Sequence, residues 1–309
     1  MTNKPLVTIT LIAMNHEKYI AQACHSILNQ TYNNLEVIFL DNNSNDKTFE
    51  IGDAILKNSG LKYFGFKNKV NKGVSENLNI QVKKASGEYI SILSGDDWYE
   101  KENIEKRLEY LEVNNLDVIL ADGYKYHEKE KKKIAFYSSK RKKKIINTIH
   151  NVFEENIAGN TTGNVGFFVK KNILNENPFD EEVATEDWDI NLRLSKKGYK
   201  FGFVDQKLFN YRILSTSLSK NYKLMQQSYL QVTNKYLEEI KSIPRANKSY
   251  QATLLSFEIE KFKSIHNKTS VETKELYIAH KNYINFRYNS PKKEYKKLIL
   301  FIKNKFKKL

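Results

Sequence analysis

Two carboxylates lie side by side directly after an apolar segment. Residues 89–93 are apolar and β-branched and predict a buried strand, and Asp96 and Asp97 follow it. Successive side chains diverge at a strand end, so the two carboxylates can contact different atoms. Hard divalent cations prefer carboxylate oxygens and often share their coordination shell with ligand phosphates. An ordinary polar turn that caps a helix would use the same residues.

A second acidic segment lies at residues 185–189. A carboxylate there could act as a general base that takes a proton from an attacking hydroxyl. If the segment is helical, Asp189 points away from Asp187, which lies two residues earlier. Alternatively, these carboxylates only favour a helix N-terminus through its dipole. Both tryptophans of the chain, Trp98 and Trp188, follow acidic motifs, and an aromatic face suits a sugar ring as well as a protein core.

The first half of the chain alternates strand-like and helix-like segments. Residues 6–14 and 35–40 are strand candidates, and apolar residues at helical spacing follow each of them. This alternation predicts βαβ crossovers and a mainly parallel sheet, in which ligands bind beyond the carboxyl ends of the strands. Polar clusters follow predicted strands at Asn15, at residues 41–46 and at residues 94–97. The sequence therefore predicts one ligand-binding edge built from three loops.

After about residue 220 the pattern changes to long, lysine-rich helical sequence. We place a boundary there, with an α/β domain over residues 1–220 and a helical extension over residues 221–309. Within residues 291–309, apolar residues recur on one helical face and lysines cover much of the rest. Such a helix lies on an anionic membrane surface, or packs on protein with its lysines in solvent.

Composition excludes several classes of protein. The chain has 309 residues, 40% of them hydrophobic and 28% charged, so it can bury a core. The single cysteine, Cys24, excludes an internal disulfide and a cysteine-based zinc site, and its apolar helical face predicts core packing. No apolar run is long enough to span a bilayer, and the N-terminus lacks the apolar core of a signal peptide, so we expect a cytoplasmic protein.

The formal net charge of +15 needs an anionic partner or a solvated surface. Much of the excess positive charge lies at residues 129–144 and at residues 292–308. We expect residues 129–144 to form a solvated hairpin or loop that could touch phosphates. A nucleic-acid-binding protein is the alternative that uses this charge. Acidic clusters at strand ends would repel a phosphate backbone, so we expect no nucleic-acid partner.

Seven motifs, in their order along the chain, resemble family 2 glycosyltransferases with the GT-A fold. They lie within roughly residues 5–215, at residues 9–20, 26–32, 41–46, 71–77, 87–90, 94–98 and 185–189, the last with Arg193, Leu194 and Gly198. The resemblance implies a GT-A-like mixed, mainly parallel sheet flanked by helices. It also implies inverting, metal-dependent transfer of a sugar from a nucleoside diphosphate to a hydroxyl, in surface polysaccharide or glycolipid assembly.

The resemblance assigns roles to the two acidic motifs. Asp97 would bind Mn²⁺ or Mg²⁺, and Asp96 would bind the ribose of the donor. Asp187 would be the catalytic base. Glu186, Trp98 and Trp188 are candidates for the acceptor side, and the loops around residues 159–166 would contribute to acceptor specificity.

Five further residues would bind the nucleotide part of the donor by resemblance: Asn15, Asp41, Asn42, Ser44 and, at the diphosphate, Arg212. The family usually has a second aspartate at the position of Asn42, and a histidine at that of Leu214. Residues 12–14 also replace the usual Pro-Thr-Tyr. These departures leave the identity of the donor's nucleotide base undetermined. They also keep a catalytically inactive relative of the family as an alternative.

The resemblance also implies a setting for the enzyme. Its partners would be a nucleoside-diphosphate sugar donor and a glycan or lipid-linked acceptor. With a basic helix over residues 291–309, we expect a cytoplasmic enzyme that can lie peripherally on the inner face of the membrane.

Overall fold

The computed structural model describes residues 4–162, 167–214 and 217–266. The chain divides into two compact units, the first ending at Leu237 and the second beginning at Glu238. Within the described residues the strands are β1 (Val7–Ala13), β2 (Leu35–Asp41), β3 (Lys62–Lys67), β4 (Tyr89–Ser94), β5 (Trp98–Tyr99), β6 (Val118–His127), β7 (Lys132–Ala135), β8 (Phe168–Lys170) and β9 (Phe201–Ile213).

The helices of the described residues surround these strands in sequence. They are α1 (Ile20–Leu28), α2 (Thr48–Lys57), α3 (Val74–Lys84), α4 (Asn103–Val113), α5 (Ser139–Thr148), α6 (Val152–Asn156), α7 (Lys171–Glu176), α8 (Glu186–Lys196), α9 (Tyr222–Asn234), α10 (Leu237–Ser242) and α11 (Pro244–His266). Two short 3₁₀ helices lie at Ile149–Asn151 and Leu218–Lys220.

The described strands form one mixed sheet in the order β3-β2-β1-β4-β8-β6-β9-β5, and β7 pairs with β6. The pairs among β3, β2, β1 and β4 are parallel, as is β6 with β9. β8 runs antiparallel to both β4 and β6, and β5 runs antiparallel to β9. The prediction of a mixed, mainly parallel sheet flanked by helices is confirmed.

Helices cover both faces of this sheet. On one face, apolar residues of β1 and β2 pack in one cluster with those of α1, α2 and α4. On the other face, residues of α3 and α5 to α8 pack with β6, β8 and β9. Cys24 lies in the first cluster with no exposed surface, and burial raises the pKa of its thiol to about 12. The prediction that Cys24 fills the core is therefore confirmed.

The register of the parallel strands brings their carboxyl ends together. Ala13 pairs with Asp41, and Ile12 pairs with Ser94. The backbone N–H of Gly95 donates to the carbonyl of Ile12 over 2.7 Å, so the loop after β4 lies against the end of β1. A Cβ atom at Gly95 would lie 2.6 Å from the Cβ of Ala13, and only glycine permits this approach.

The structure corrects the prediction for residues 129–144. The expected hairpin exists, because β7 pairs with the end of β6. The lysines beyond it lie in helix α5 and not in a loop. Ser138 caps this helix by accepting a hydrogen bond from the backbone N–H of Arg141, and Ile145 buries one face. With Ile145 as its buried residue, α5 shows little apolar periodicity, so the sequence pattern does not reveal this helix.

Helix α9 lies after residue 220 and belongs to the first compact unit. The functional division into a catalytic domain over residues 1–220 and an extension over residues 221–309 stays a prediction. The basic helix expected over residues 291–309 lies outside the described residues.

Candidate active site

Asp96 and Asp97 lie between β4 and β5, at the carboxyl ends of the parallel strands. Asp97 is buried, and its Oδ1 accepts a hydrogen bond of 2.8 Å from the backbone N–H of Arg212. Burial and the neighbouring charge of Asp96 raise the pKa of Asp97 well above its ordinary value, against the opposing effect of Arg212. Ser94 donates its hydroxyl to Oδ1 of Asp96 over 2.5 Å. Both carboxylates are thus held by the backbone and side chains around them.

The guanidinium of Arg212 is buried and bonded to protein groups on several sides. Its Nε donates to the carbonyl of Asp96 over 2.7 Å and its Nη2 to Gln22 over 2.6 Å, while Nη1 pairs with Glu128. The guanidinium carbon also lies 4.5 Å from the ring centre of Tyr19. In this structure Arg212 therefore fixes the loop that carries Asp96 and Asp97, and its predicted contact with a diphosphate stays a prediction.

Asn15, Asp41 and Ser44 meet where the loops after β1 and β2 come together. Ser44 Oγ accepts from the backbone N–H of Asn15 over 2.8 Å, and Asn15 Oδ1 accepts from the N–H of Asn45 over 2.9 Å. Asp41 Oδ1 accepts from the N–H of Ser44 over 2.8 Å. Among the described residues, the buried Oδ2 of Asp41 has no hydrogen-bond partner. With the loop after β4, which lies against the end of β1, the three polar loops therefore share one edge of the sheet, as predicted.

The amide of Asn42 is engaged on both sides by the segment before α3. Its Nδ2 donates to Oδ1 of Asn71 over 2.8 Å and to the carbonyl of Lys72 over 2.9 Å. Its Oδ1 accepts from Asn68 Nδ2 over 3.0 Å and from the N–H of Lys72 over 2.9 Å. An amide suits this place because it must donate and accept at once. In this structure Asn42 holds the segment of residues 68–72 in place.

Glu186 and Asp187 begin helix α8, where carboxylates are favoured by the helix dipole. Asn160 Nδ2 donates to Oδ2 of Asp187 over 2.8 Å. Burial, together with the negative charge of Asp187, raises the pKa of Glu186 to about 8. Burial and this neighbouring charge therefore favour the protonated form of Glu186.

Asp189 lies on another side of α8, as the helical spacing predicted. It is buried, and it pairs with Arg193 Nε and with Lys235 Nζ, each over 2.7 Å. Two cationic side chains paired with one buried carboxylate indicate a structural ion pair, which ties α8 to the end of α9. Asp189 is therefore committed to this ion pair, and the role of Asp187 as the base stays a prediction.

The pKa of Tyr211, on β9, responds to both acidic motifs. Burial raises its pKa, and a hydrogen bond with Ser219 lowers it. The negative charges of Asp97, Asp96 and Asp187 raise it further. All three carboxylates therefore lie within electrostatic range of one ring. The sequence assigns Tyr211 no role, because its proximity to both motifs arises only from the tertiary fold.

The two tryptophans are packed in different ways. Trp98 is 9% exposed and lies edge-on to Tyr126, with the guanidinium of Arg212 4.7 Å from its ring centre. Trp188 is 2% exposed, donates its indole N–H to the carbonyl of Asn156 over 2.7 Å and stacks on Tyr229. Both rings therefore support the acidic loops, and their predicted contact with an acceptor stays a prediction.

The acidic pair after β4 fits a divalent cation that is shared with a ligand. Within residues 4–162, 167–214 and 217–266, no cluster of three His, Cys, Asp or Glu side chains could enclose a metal ion. Mg²⁺ and similar cations are commonly held by one or two carboxylates plus phosphate oxygens of the substrate. Asp97, with Asp96 beside it, fits that arrangement, since Asp97 pays a desolvation penalty that a cation would offset. Leu214 offers no ligand at the position of the family's histidine.

No helix in the described part of the chain is both long and apolar enough to cross a membrane.

Comparisons with solved structures identify the fold. The Staphylococcus aureus protein TarS (residues 1–349, in complex with UDP-GlcNAc) matches with a TM-score of 0.61 and 18% identity, over 89% of this chain and 79% of the other. The mannosyltransferase PcManGT from Pyrobaculum calidifontis, in complex with GDP-Man and Mn²⁺, matches with a TM-score of 0.64 and 14% identity, over 93% and 85%. The chain therefore has the GT-A type of fold.

Comparisons of sequence identify the family. An uncharacterised glycosyltransferase of Methanocaldococcus jannaschii is 32% identical over 214 residues, which cover 68% of this chain and 72% of that protein. Glycosyltransferase GlyG of Streptococcus pneumoniae is 26% identical over 223 residues, covering 70% and 73%. The sequence model described as glycosyl transferase family 2 matches residues 8–180. With its acidic motifs at the carboxyl edge of a GT-A sheet, the chain belongs to glycosyl transferase family 2 and is a glycosyltransferase.

Proposed function

We propose that this glycosyltransferase moves a sugar from a nucleoside-diphosphate sugar to a hydroxyl group of an acceptor, with inversion at the anomeric carbon and with a divalent cation. The observation that carries the proposal is the acidic pair at the carboxyl end of β4, which Arg212 at the end of β9 holds in place, with Asp187 of α8 within electrostatic range of the same tyrosine, Tyr211. One pair suits the diphosphate end of a donor. The third carboxylate, on a different element, suits the hydroxyl that attacks.

The donor side of the proposal rests on Asn15, Asp41 and Ser44. The buried Oδ2 of Asp41, which has no hydrogen-bond partner among the described residues, is an acceptor suited to an N–H group of a nucleotide base. The two solved relatives are in complex with UDP-GlcNAc and with GDP-Man, so the fold accommodates either nucleotide. Asn42 is saturated by protein groups, and it contributes by holding residues 68–72.

A cation at Asp97 would be Mn²⁺ or Mg²⁺. When bound, it would neutralise charge that develops on the departing diphosphate. Asp97 would be its protein ligand, and Asp96 would hold the ribose. Arg212 holds both aspartates in position through its contacts with the Asp96 carbonyl and Asp97 Oδ1.

Asp187 would act as the base. The acceptor oxygen forms a bond to the anomeric carbon as the bond from that carbon to the diphosphate oxygen breaks. The hydroxyl proton moves to Asp187, and the bonding electron pair leaves with the nucleoside diphosphate. Because burial and the charge of Asp187 favour the protonated form of Glu186, we take Asp187 rather than Glu186 as the base. Asn160 orients this carboxylate through its 2.8 Å hydrogen bond.

The setting of the reaction is part of the proposal. We infer an acceptor that is a glycan or a lipid-linked molecule of surface polysaccharide or glycolipid assembly, met at the inner face of the membrane. The support is the lysine-rich sequence of residues 291–309, since such segments bind anionic lipid.

The test is a calorimetric titration of the full chain with UDP, GDP and dTDP, with and without Mn²⁺. The variant is Asp97→Asn, which keeps an oxygen for the Arg212 N–H but loses the charge. The control is Asp205→Asn, whose carboxylate pairs with Lys142 at the surface. We expect one nucleotide to bind with Mn²⁺, and binding to be lost only in Asp97→Asn.

Two outcomes would contradict the proposal. If no nucleotide binds to the wild type, this chain does not use a nucleotide donor. If a nucleotide binds but the chain then releases no nucleoside diphosphate from the matching sugar donor in any acceptor mixture, it is a binding protein that has lost catalysis.

A further inference from the structure

A cavity of about 600 Å³ lies between helix α5 and the segment that ends at Thr162. We refer to it as the α5 cavity. Its apolar lining includes Ile145 and Val152, which belong to the core beneath it. Its polar lining includes Lys140, Arg141 and Asn160. The cavity therefore combines an apolar floor with hydrogen-bonding and charged groups.

The charge of the α5 cavity is positive. Its lining contains three cationic side chains, Lys140, Arg141 and Lys144, and one carboxylate, Glu155. Glu155 pairs with Lys144 over 2.5 Å, so the positive charge of the other two is not balanced within the lining. Arg141 is fixed in place, because its Nε donates to the carbonyl of Thr161 over 2.8 Å and its guanidinium stacks on Tyr137. A site of this kind favours an anion.

The α5 cavity is joined to the proposed base by Asn160. This residue lines the cavity, and its Nδ2 donates to Asp187 Oδ2 over 2.8 Å. A group bound in the cavity therefore lies one side chain away from the carboxylate that would accept the proton. This position suits the acceptor, since the donor diphosphate belongs with Asp96 and Asp97 after β4.

The wall between the cavity and α8 is fixed by hydrogen bonds. Asn156 Nδ2 donates to Thr162 Oγ1 over 2.9 Å, and Asn191 Nδ2 donates to the same hydroxyl over 3.3 Å. The indole N–H of Trp188 donates to the carbonyl of Asn156 over 2.7 Å. All of these atoms are buried, so the cavity and the first turn of α8 have a defined separation.

We propose that the α5 cavity binds a phosphate ester on the acceptor, next to the hydroxyl that Asp187 deprotonates, so that the enzyme glycosylates an anionic acceptor. Lys140 and Arg141 supply the charge, and Ile145 and Val152 contact the apolar part next to the phosphate. The inference rests on the proposed function, because it takes Asp187 as the base. Two sources share this chemistry, a soluble phosphate-bearing glycan and a lipid headgroup.

The chain offers a matched pair of variants for the test. Lys140 and Lys143 are both exposed lysines of α5, but Lys140 lines the cavity and Lys143 does not. Lys140→Glu and Lys143→Glu change the net charge equally. The probe is sn-glycerol 3-phosphate, with glycerol as the neutral comparison. Binding to the full chain is followed by NMR, with the donor site occupied by the nucleotide and Mn²⁺ found in the first titration.

We expect glycerol 3-phosphate to bind to the wild type and glycerol not to bind. We expect Lys140→Glu to weaken this binding by about tenfold or more, as for loss of a charge-assisted contact, with Lys143→Glu close to wild type. Equal effects of the two variants would overturn the proposal, because they would show only general attraction of anions. Absence of binding to the wild type would overturn it as well.

Vesicles distinguish the two sources of phosphate. They are prepared from phosphatidylcholine with phosphatidylglycerol, and from phosphatidylcholine alone. A loss of phosphatidylglycerol binding in Lys140→Glu and not in Lys143→Glu would support a lipid headgroup as the ligand. Unchanged vesicle binding with weakened glycerol 3-phosphate binding would support a soluble phosphate ester.

Failure of this inference can be separated from failure of the proposed function. Nucleotide binding with Mn²⁺ is measured in the same variants, and we expect it to be unchanged in both. Normal nucleotide binding without phosphate binding overturns the anionic acceptor alone. If no nucleotide binds, the glycerol 3-phosphate titration is repeated without it, and the proposed function fails whatever that titration shows.

Discussion

The backbone N–H of Arg212 donates a 2.8 Å hydrogen bond to Oδ1 of Asp97, a residue 115 positions earlier in the chain. The same arginine holds the Asp96 carbonyl through its Nε. The end of β9 therefore positions the acidic loop after β4. Two motifs that look independent in the sequence form one unit in the fold.

Replacing Asp187 by Asn should abolish most of the transfer without affecting donor binding. The asparagine keeps the size of the side chain but cannot take the hydroxyl proton, and loss of a general base typically costs about 10²–10⁴-fold in rate. The rate is measured as release of nucleoside diphosphate from the donor, with acceptor present or with water alone. Donor binding to the same variant is measured by calorimetry. An Asp187→Asn variant with the full rate would show that another group is the base.

Replacing Glu186 by Gln should stabilise the protein, and more at pH 8 than at pH 4. Its pKa is raised from 4.5 to about 8 by burial and by Asp187, so the unfolded chain releases the proton first as pH rises. The folded state consequently loses stability between those two pH values, by an amount on the order of 2 kcal/mol, because solvent screens this half-buried side chain in part.

The measurement is the free energy of unfolding in urea at several pH values for the wild type and Glu186→Gln. The neutral glutamine removes the pH-dependent cost, so the two curves should diverge as pH rises from about 4.5 to 8. Parallel curves over that interval would mean that Glu186 is already ionised near neutral pH.

Replacing Asn42 by Asp should destabilise the protein, although it restores the residue that the family usually has. The new carboxylate oxygen would face the carbonyl of Lys72, which now accepts from Asn42 Nδ2 over 2.9 Å. Two acceptors in contact, with a donor lost, should lower the free energy of unfolding by about 1–3 kcal/mol. Asn45→Asp, in the same loop but exposed, is the control. Equal stabilities of the two variants would disprove the assigned amide contacts.

Replacing Arg212 by Lys should lower both stability and nucleotide affinity. A lysine keeps the charge but cannot contact Glu128, Gln22 and the Asp96 carbonyl together, because its ammonium is compact. We expect a loss of about 1–3 kcal/mol in the free energy of unfolding in urea. The exposed Arg141, changed to Lys, should lose less. A stable Arg212→Lys variant with weakened nucleotide binding would instead indicate that this side chain contacts the diphosphate directly.

Much of the parallel half of the sheet could be predicted from the sequence. The β-branched, apolar segments before Asn15, Asp41 and Asp96 end at polar clusters, and the observed strands end within a residue or two of the predicted places. Local patterns suffice there because strands buried on both faces are dominated by apolar and β-branched residues. The region between β6 and α8 was much less predictable, since its strands are short and its helix α5 is mostly exposed.

The sequence by itself determined the family motifs, their order and the edge of the sheet at which Asp41, Asp96 and Asp97 meet. Only the tertiary structure decided which polar groups satisfy one another. Arg212 reaches Gln22 across 190 positions, and Asn160 reaches Asp187 across 27. Hydrogen bonds and ion pairs depend on distances of about 3 Å between atoms. Such distances exist only after folding has brought remote segments together, and periodicity along the chain does not encode them.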